Sequence, residues 1–125
     1  MTSTITITPH TAVRIPLSVP VMTGREEEYV RSCIADGWVS SVGPFVTRFE
    51  QEVATYVGTA HAVATVNGTA ALHLALLVCG VRPGDVVLVP TFTFIATANA
   101  VRYCGAEPIF FDCDPETLGM DASAI

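Results

Sequence analysis

Val63-Ala64-Thr65-Val66-Asn67-Gly68-Thr69-Ala70-Ala71-Leu72 reads as a short buried strand, a tight turn and the start of an apolar helix. That order aims the free N–H groups and the positive dipole end of a helix at whatever lies beyond the strand. Gly68 has no Cβ to hold a ligand away from the backbone. Thr69 adds a hydroxyl donor, and Ala70 and Ala71 keep the approach clear. A phosphate suits such a place, because each hydrogen bond to a charged oxygen contributes about 1.5–3 kcal/mol. An ordinary strand-to-helix turn with a Thr cap reads the same way, so the stretch alone leaves both open.

Downstream the rhythm repeats. Residues 60–66 are expected to form a strand and 69–79 a helix, with a Pro-Gly turn over 80–85. Residues 86–89 then read as a strand, 94–103 as a helix and 109–111 as a third strand. The strands are continuous apolar runs, so burial on both faces is expected. Strands alternating with helices through short connections imply a three-layer α/β/α arrangement around a mostly parallel sheet with right-handed crossovers.

Upstream, residues 1–14 read as a loose arm, and Ile15-Pro16-Leu17-Ser18-Val19-Pro20 as extended chain, since its prolines exclude helix. Thr23 with Glu26 resembles a capping box opening a helix that ends at Asp36-Gly37. Phe45, Phe49, Val53 and Tyr56 recur at helical spacing, and Gly58 closes that helix. Between the two lies Trp38-Val39-Ser40-Ser41-Val42-Gly43-Pro44. An aromatic, two hydroxyls and a Gly-Pro turn suit a pocket wall, and equally a loop that tucks its Trp inward.

Composition narrows the classes of function. The chain has 125 residues, half of them apolar and 14% charged, with a formal charge of −6. Its six basic residues are all arginines, scattered without a stripe, which disfavours nucleic acid as a partner. No segment approaches the roughly 18 apolar residues a membrane span needs, and Met1–Pro9 has no secretory-signal pattern. Cys33, Cys79, Cys104 and Cys113 form no metal-ligand spacing and read as reduced structural thiols, implying a reducing, cytoplasmic setting and no metal. His73, among leucines within a helix, reads as a core histidine, and Asp112 and Asp114 as turn caps. Asp121 looks like the cap of a new helix that the sequence leaves after four residues, which points to a fragment of a longer domain.

In a parallel sheet, Asn67-Gly68-Thr69-Ala70 and Thr91-Phe92-Thr93-Phe94 should share one rim, where ligands of open α/β sheets bind. A phosphate site beside an aromatic face suits a flat phosphorylated cofactor. Neither G-x-G-x-x-G nor G-x-x-x-x-G-K-[ST] is present, which disfavours dinucleotides and nucleoside triphosphates.

The ordered series Gly37-Trp38-Val39-Ser40-Ser41-Val42-Gly43-Pro44, Asn67-Gly68-Thr69-Ala70-Ala71-Leu72, Pro83-Gly84-Asp85-Val86-Val87, Pro90-Thr91-Phe92-Thr93-Phe94-Ile95-Ala96-Thr97-Ala98-Asn99-Ala100 and Phe111-Asp112-Cys113-Asp114-Pro115-Glu116-Thr117 resembles the N-terminal part of the DegT/DnrJ/EryC1/StrS sugar aminotransferases. The resemblance covers about 15–125. It implies the N-terminal part of the large domain of a fold type I enzyme that binds pyridoxal 5'-phosphate, acting as a cytoplasmic homodimer. It further implies transfer of an amino group from glutamate to a keto sugar linked to a nucleoside diphosphate, in amino-sugar or surface-polysaccharide synthesis. By position Gly68, Thr69 and Ala70 match the phosphate contacts and Phe94 the ring-stacking aromatic. Trp38, Ser40, Ser41 and Gly43 match a loop near the sugar. The family's cofactor-bound lysine has no counterpart here, because the chain contains no lysine, and arginine stays protonated and cannot replace it. A sugar dehydratase of the same family, or a non-catalytic binding module on the same fold, fits these residues too.

Overall fold

A computed structural model describes residues 15–124; the arm expected over 1–14 lies outside the described residues. The chain divides after Pro44 into two units.

The first unit carries α1 (Glu26–Ala35). Glu26, Glu27 and Glu28 fill its first turn, where the helix dipole favours acidic groups. Arg25 and Arg31 pair with Glu28 and Glu27 on the exposed surface. The capping box expected at Thr23 is not formed. Arg25 is the N-cap, and the Glu26 carboxylate accepts the N–H of Gly24 at 2.9 Å. The reciprocal bond has shifted one residue along the chain. At the other end Gly37 (φ 76°) allows Trp38 N–H to reach the Cys33 carbonyl at 2.8 Å and its own N–H to reach Ile34 at 3.3 Å. This is the Schellman termination, which a left-handed glycine permits.

The second unit takes in α2 (Pro44–Val57) from its second residue on, and the helix starts with a proline that loses no needed N–H there. Its helical spacing is as expected, but Phe49 and Tyr56 stand 58% and 91% exposed, and only Ala54 is buried. Then come α3 (Gly68–Val78), β1 (Val86–Pro90), α4 (Ile95–Tyr103) and β2 (Glu107–Phe111), with a short 3-10 turn at Ala122–Ala124. The strands pair in parallel, Leu88 opposite Ile109 and Pro90 opposite Phe111. The connection carries α4 back across the sheet, and α3 packs on α4. The α/β class is therefore as expected. The core gathers Val89, Val101, Cys104 and Ala106, with Leu76, Val81 and Val87 packed around them.

Two expectations need correction. Residues 60–66 are not a strand. Strand structure requires a ladder partner, and among the described residues β1 and β2 pair only with each other. Nor are both faces of the sheet covered. Val87 and Val89 point toward α4, so alternation puts Val86 and Leu88 on the opposite face, 54% and 37% exposed, with Ile109 at 42%. Among the described residues no helix is long and apolar enough to cross a membrane.

Candidate functional site

The turn into α3 is built by Asn67. Its backbone is extended (φ −165°, ψ 172°), and its Oδ1 accepts the N–H of Ala70 at 2.9 Å. The cap is thus Asn67, a residue type suited to it because a short side-chain oxygen reaches the first-turn amides. A helix begins with four N–H groups lacking intrahelical partners. Ala70 is satisfied by the cap, whereas Gly68 and Thr69 have no hydrogen-bond acceptor among the described residues. A Cβ placed on Gly68 would meet nothing within 4 Å, so the space beside this glycine is open. Two unpaired amides, a hydroxyl and open access have the chemistry to hold a phosphate.

Thr69, Ala70, Asn67, His73 and Tyr103 line a cavity of about 420 Å³. His73 is half-buried on its wall, edge-on to Tyr103 at 5.7 Å between ring centroids, rather than enclosed in the core. Such edge-to-face contacts stabilise aromatic pairs through the ring quadrupole.

Phe94 lies at the other end of α4, as its N-cap residue (φ −68°, ψ 147°), with a ring that is 86% exposed. With Phe92 and Thr93 it lines a second cavity of about 420 Å³. The loop before it is well anchored. Thr91 N–H donates to the Phe111 carbonyl at 2.8 Å, Phe92 N–H reaches Cys113 Sγ at 3.2 Å, and the Thr93 and Thr97 hydroxyls bond at 2.8 Å. An uncovered aromatic face on a fixed loop suits a flat ring. Among the described residues the α3 turn lines one of these cavities and Phe94 the other.

Within the first unit, Trp38 is 47% exposed, so it is not tucked into a core. A Cβ on Gly43 would come within 3.3 Å of the indole, so glycine lets the loop close against that ring. Ser40 and Ser41 are exposed on the same loop.

Asp114 behaves as the turn cap expected of it. Its Oδ1 accepts Thr117 N–H at 2.7 Å and Glu116 N–H at 2.9 Å, and these bonds hold its carboxyl below the usual aspartate range. Asp112 accepts Cys113 N–H, and Asp121 accepts Ser123 N–H. The four cysteines are free, and no cluster of potential metal ligands occurs among the described residues.

One contact near the site escaped the sequence pattern. Glu50 of α2 accepts Ala64 N–H at 2.8 Å. No motif marks a lone glutamate on a helix, and only the fold shows that this one meets the backbone leading into α3.

Comparison with known proteins places this geometry in context. The model of the DegT/DnrJ/EryC1/StrS aminotransferase family matches residues 20–125. The GDP-perosamine synthase of Caulobacter vibrioides is 49% identical over 112 residues, covering 90% of this chain and 30% of that relative. Spr1654 from Streptococcus pneumoniae, a proposed sugar aminotransferase in its PMP form, superposes with a TM-score of 0.79. It is 34% identical, covering 88% of this chain and 28% of Spr1654. A DegT DnrJ EryC1 StrS aminotransferase from Brucella abortus gives a TM-score of 0.70 at 40% identity, covering 78% and 26%. The chain spans about 30% of the length of the curated relatives it matches.

Proposed function

The chain belongs to the DegT/DnrJ/EryC1/StrS aminotransferase family, and from that membership we propose that residues 15–125 form the N-terminal part of the cofactor-binding large domain of an aminotransferase that uses pyridoxal 5'-phosphate. The acceptor in this reading is a keto sugar on a nucleoside diphosphate, and the amino donor is glutamate. The observation that carries it is the pair of unpaired amides at Gly68 and Thr69, at the mouth of α3 and within the matched residues.

Bound pyridoxal phosphate supplies an aldehyde and an electron-withdrawing ring through which an amino group passes from donor to acceptor. The Gly68 and Thr69 amides and the Thr69 hydroxyl hold its phosphate, with the α3 dipole adding to the attraction. Ala70 keeps the turn narrow while its own N–H binds Asn67. Phe94 stacks on the ring and keeps water from one face. Trp38, Ser40, Ser41 and Gly43 form a loop suited to a sugar, the serines offering hydroxyls and the indole a flat apolar wall. The amine that holds the cofactor aldehyde comes from outside these 125 residues, which contain no lysine.

A relative named GDP-perosamine synthase supports a nucleotide-linked sugar as the acceptor class. The uncovered apolar faces of α2 and the sheet support a homodimer in which more of the surface is covered. Four free thiols support a cytoplasmic setting.

The test incubates the protein that carries this chain with pyridoxal phosphate, glutamate and nucleotide-linked keto sugars, and analyses products by mass spectrometry. Replacement of the keto oxygen by an amine, with matching 2-oxoglutarate, is expected. Loss of water without amination would identify a dehydratase, and an unchanged sugar a non-catalytic module.

A further inference from the structure

We propose that Thr97 is a positioning residue for Phe94, acting through the hydroxyl of Thr93; the inference rests on the reading of Phe94 as the aromatic stacked on the cofactor ring. Phe94 stands where a helix needs a capping oxygen. It is the N-cap residue of α4, and its side chain makes no capping bond. Ser, Thr, Asp and Asn are preferred at that position because they accept a first-turn amide, which a phenyl ring cannot do. A local rule broken in this way marks a place where another demand outweighs stability. The residues on either side of the ring take over the closure. The Thr93 and Thr97 hydroxyls bond to each other at 2.8 Å, and Thr97 N–H reaches the Phe94 carbonyl at 3.1 Å.

The hydroxyl bond joins two parts of the fold that are anchored separately. On one side, Thr93 N–H donates to the Thr91 carbonyl at 3.1 Å and Thr91 N–H to the Phe111 carbonyl at 2.8 Å. With Phe92 N–H on Cys113 Sγ at 3.2 Å, these bonds tie the loop to the end of β2. On the other side, Ala98, Ala100 and Val101 are buried and fix α4 against the sheet. Phe94 is the joint between them, with an extended backbone (φ −68°, ψ 147°) that turns the chain into the helix. A bond from residue 93 to residue 97 closes a ring of chain around that joint, so a change in either dihedral breaks it. The bond therefore sets the direction of the Phe94 Cα–Cβ vector, and with it the face the phenyl ring offers. Thr97, half-buried in the first turn of α4, touches no ligand in this scheme. It preorganises the ring, so its loss should be felt only while the ring is there.

The experiment measures the dissociation constant of pyridoxal phosphate for the protein that carries this chain and for its Thr97→Val, Thr97→Ser and Phe94→Ala variants. A fourth variant combines Phe94→Ala with Thr97→Val. Thr97→Val keeps the shape and removes the hydroxyl, and should weaken binding about fivefold, the scale of one lost hydrogen bond. Thr97→Ser restores a hydroxyl and should return affinity to within about twofold of the parent. In the Phe94→Ala background Thr97→Val should change affinity by less than about 1.5-fold, because the ring it positions is gone. An equal loss in both backgrounds, no loss in either, or no rescue by Ser would overturn the inference while leaving the functional reading intact. Unchanged affinity in Phe94→Ala alone would overturn both the inference and the stacking role of Phe94. If Thr97→Val does not fold, Thr93→Val removes the same bond from its other end and takes its place in the cycle, with the same outcomes expected.

Discussion

Asn67 Oδ1 accepts the N–H of Ala70 at 2.9 Å, so the turn into α3 caps its own helix and, among the described residues, leaves the amides of Gly68 and Thr69 unpaired. Capping and the open donors therefore fall to different groups of one turn. Asn67→Ala removes the cap and should cost about 1 kcal/mol of stability. Asn67→Asp keeps the cap and should nearly preserve stability, yet place a negative charge beside the phosphate and weaken its binding. Denaturant unfolding and a pyridoxal phosphate titration of both variants separate the two effects.

Phe94 and Val101 occupy opposite extremes of exposure on one helix and the residue that caps it. Val101 is 1% exposed within the core, so Val101→Ala should cost about 2 kcal/mol by lost burial and cavity formation. Phe94 is 86% exposed, and Phe94→Ala should change stability by less than about 0.5 kcal/mol. Its effect should appear in cofactor affinity, at about 0.5–1.5 kcal/mol for a lost stacking partner. Thermal unfolding with and without pyridoxal phosphate checks both values.

Gly43 lies against the indole of Trp38. A methyl group there would come within 3.3 Å of Trp38 carbons, so Gly43→Ala should displace the ring. Trp38 is the sole tryptophan of these 125 residues, which makes its emission the measurement. A shifted emission maximum is expected together with a loss of about 1–3 kcal/mol of stability, since Gly43 holds a φ of 154° that residues with a Cβ rarely adopt.

Asp114 makes the fold sensitive to acid. The amides of Thr117 and Glu116 favour its ionised form, so its folded pKa lies below the ordinary aspartate value of about 3.9. Its contribution is therefore fully present above that ordinary value and is lost as pH falls through the folded one. Asp114→Asn retains an acceptor oxygen but does not titrate, and should remove this component from the acid-unfolding curve. A carbon-13 titration of the Asp114 carboxyl should give a midpoint below the ordinary value.

Much of the second unit is readable from the sequence because its signals are local. Apolar periodicity and the glycines after each helix mark α3 and α4 to within about a residue, and the runs at 86–89 and 109–111 fall inside β1 and β2. The failures are places where a partner decides. Val63 to Val66 have strand composition, but composition supplies no ladder, and among the described residues no strand pairs with them. Thr23 and Glu26 have capping-box spacing, but Glu26 takes the nearer Gly24 amide. His73 sits among leucines in sequence, while the helix turns it toward Tyr103 and a cavity. The open amides of Gly68 and Thr69 were legible because they belong to a single turn. The Glu50 contact was not, because it exists only once α2 and Ala64 meet.

The most direct measurement is a crystal structure, with pyridoxal 5'-phosphate bound, of the protein that carries this chain. The account predicts phosphate oxygens within hydrogen-bond distance of the Gly68 and Thr69 amides, and the pyridine ring stacked on Phe94. A phosphate held elsewhere, with these two amides turned to solvent or to other protein groups, would contradict it.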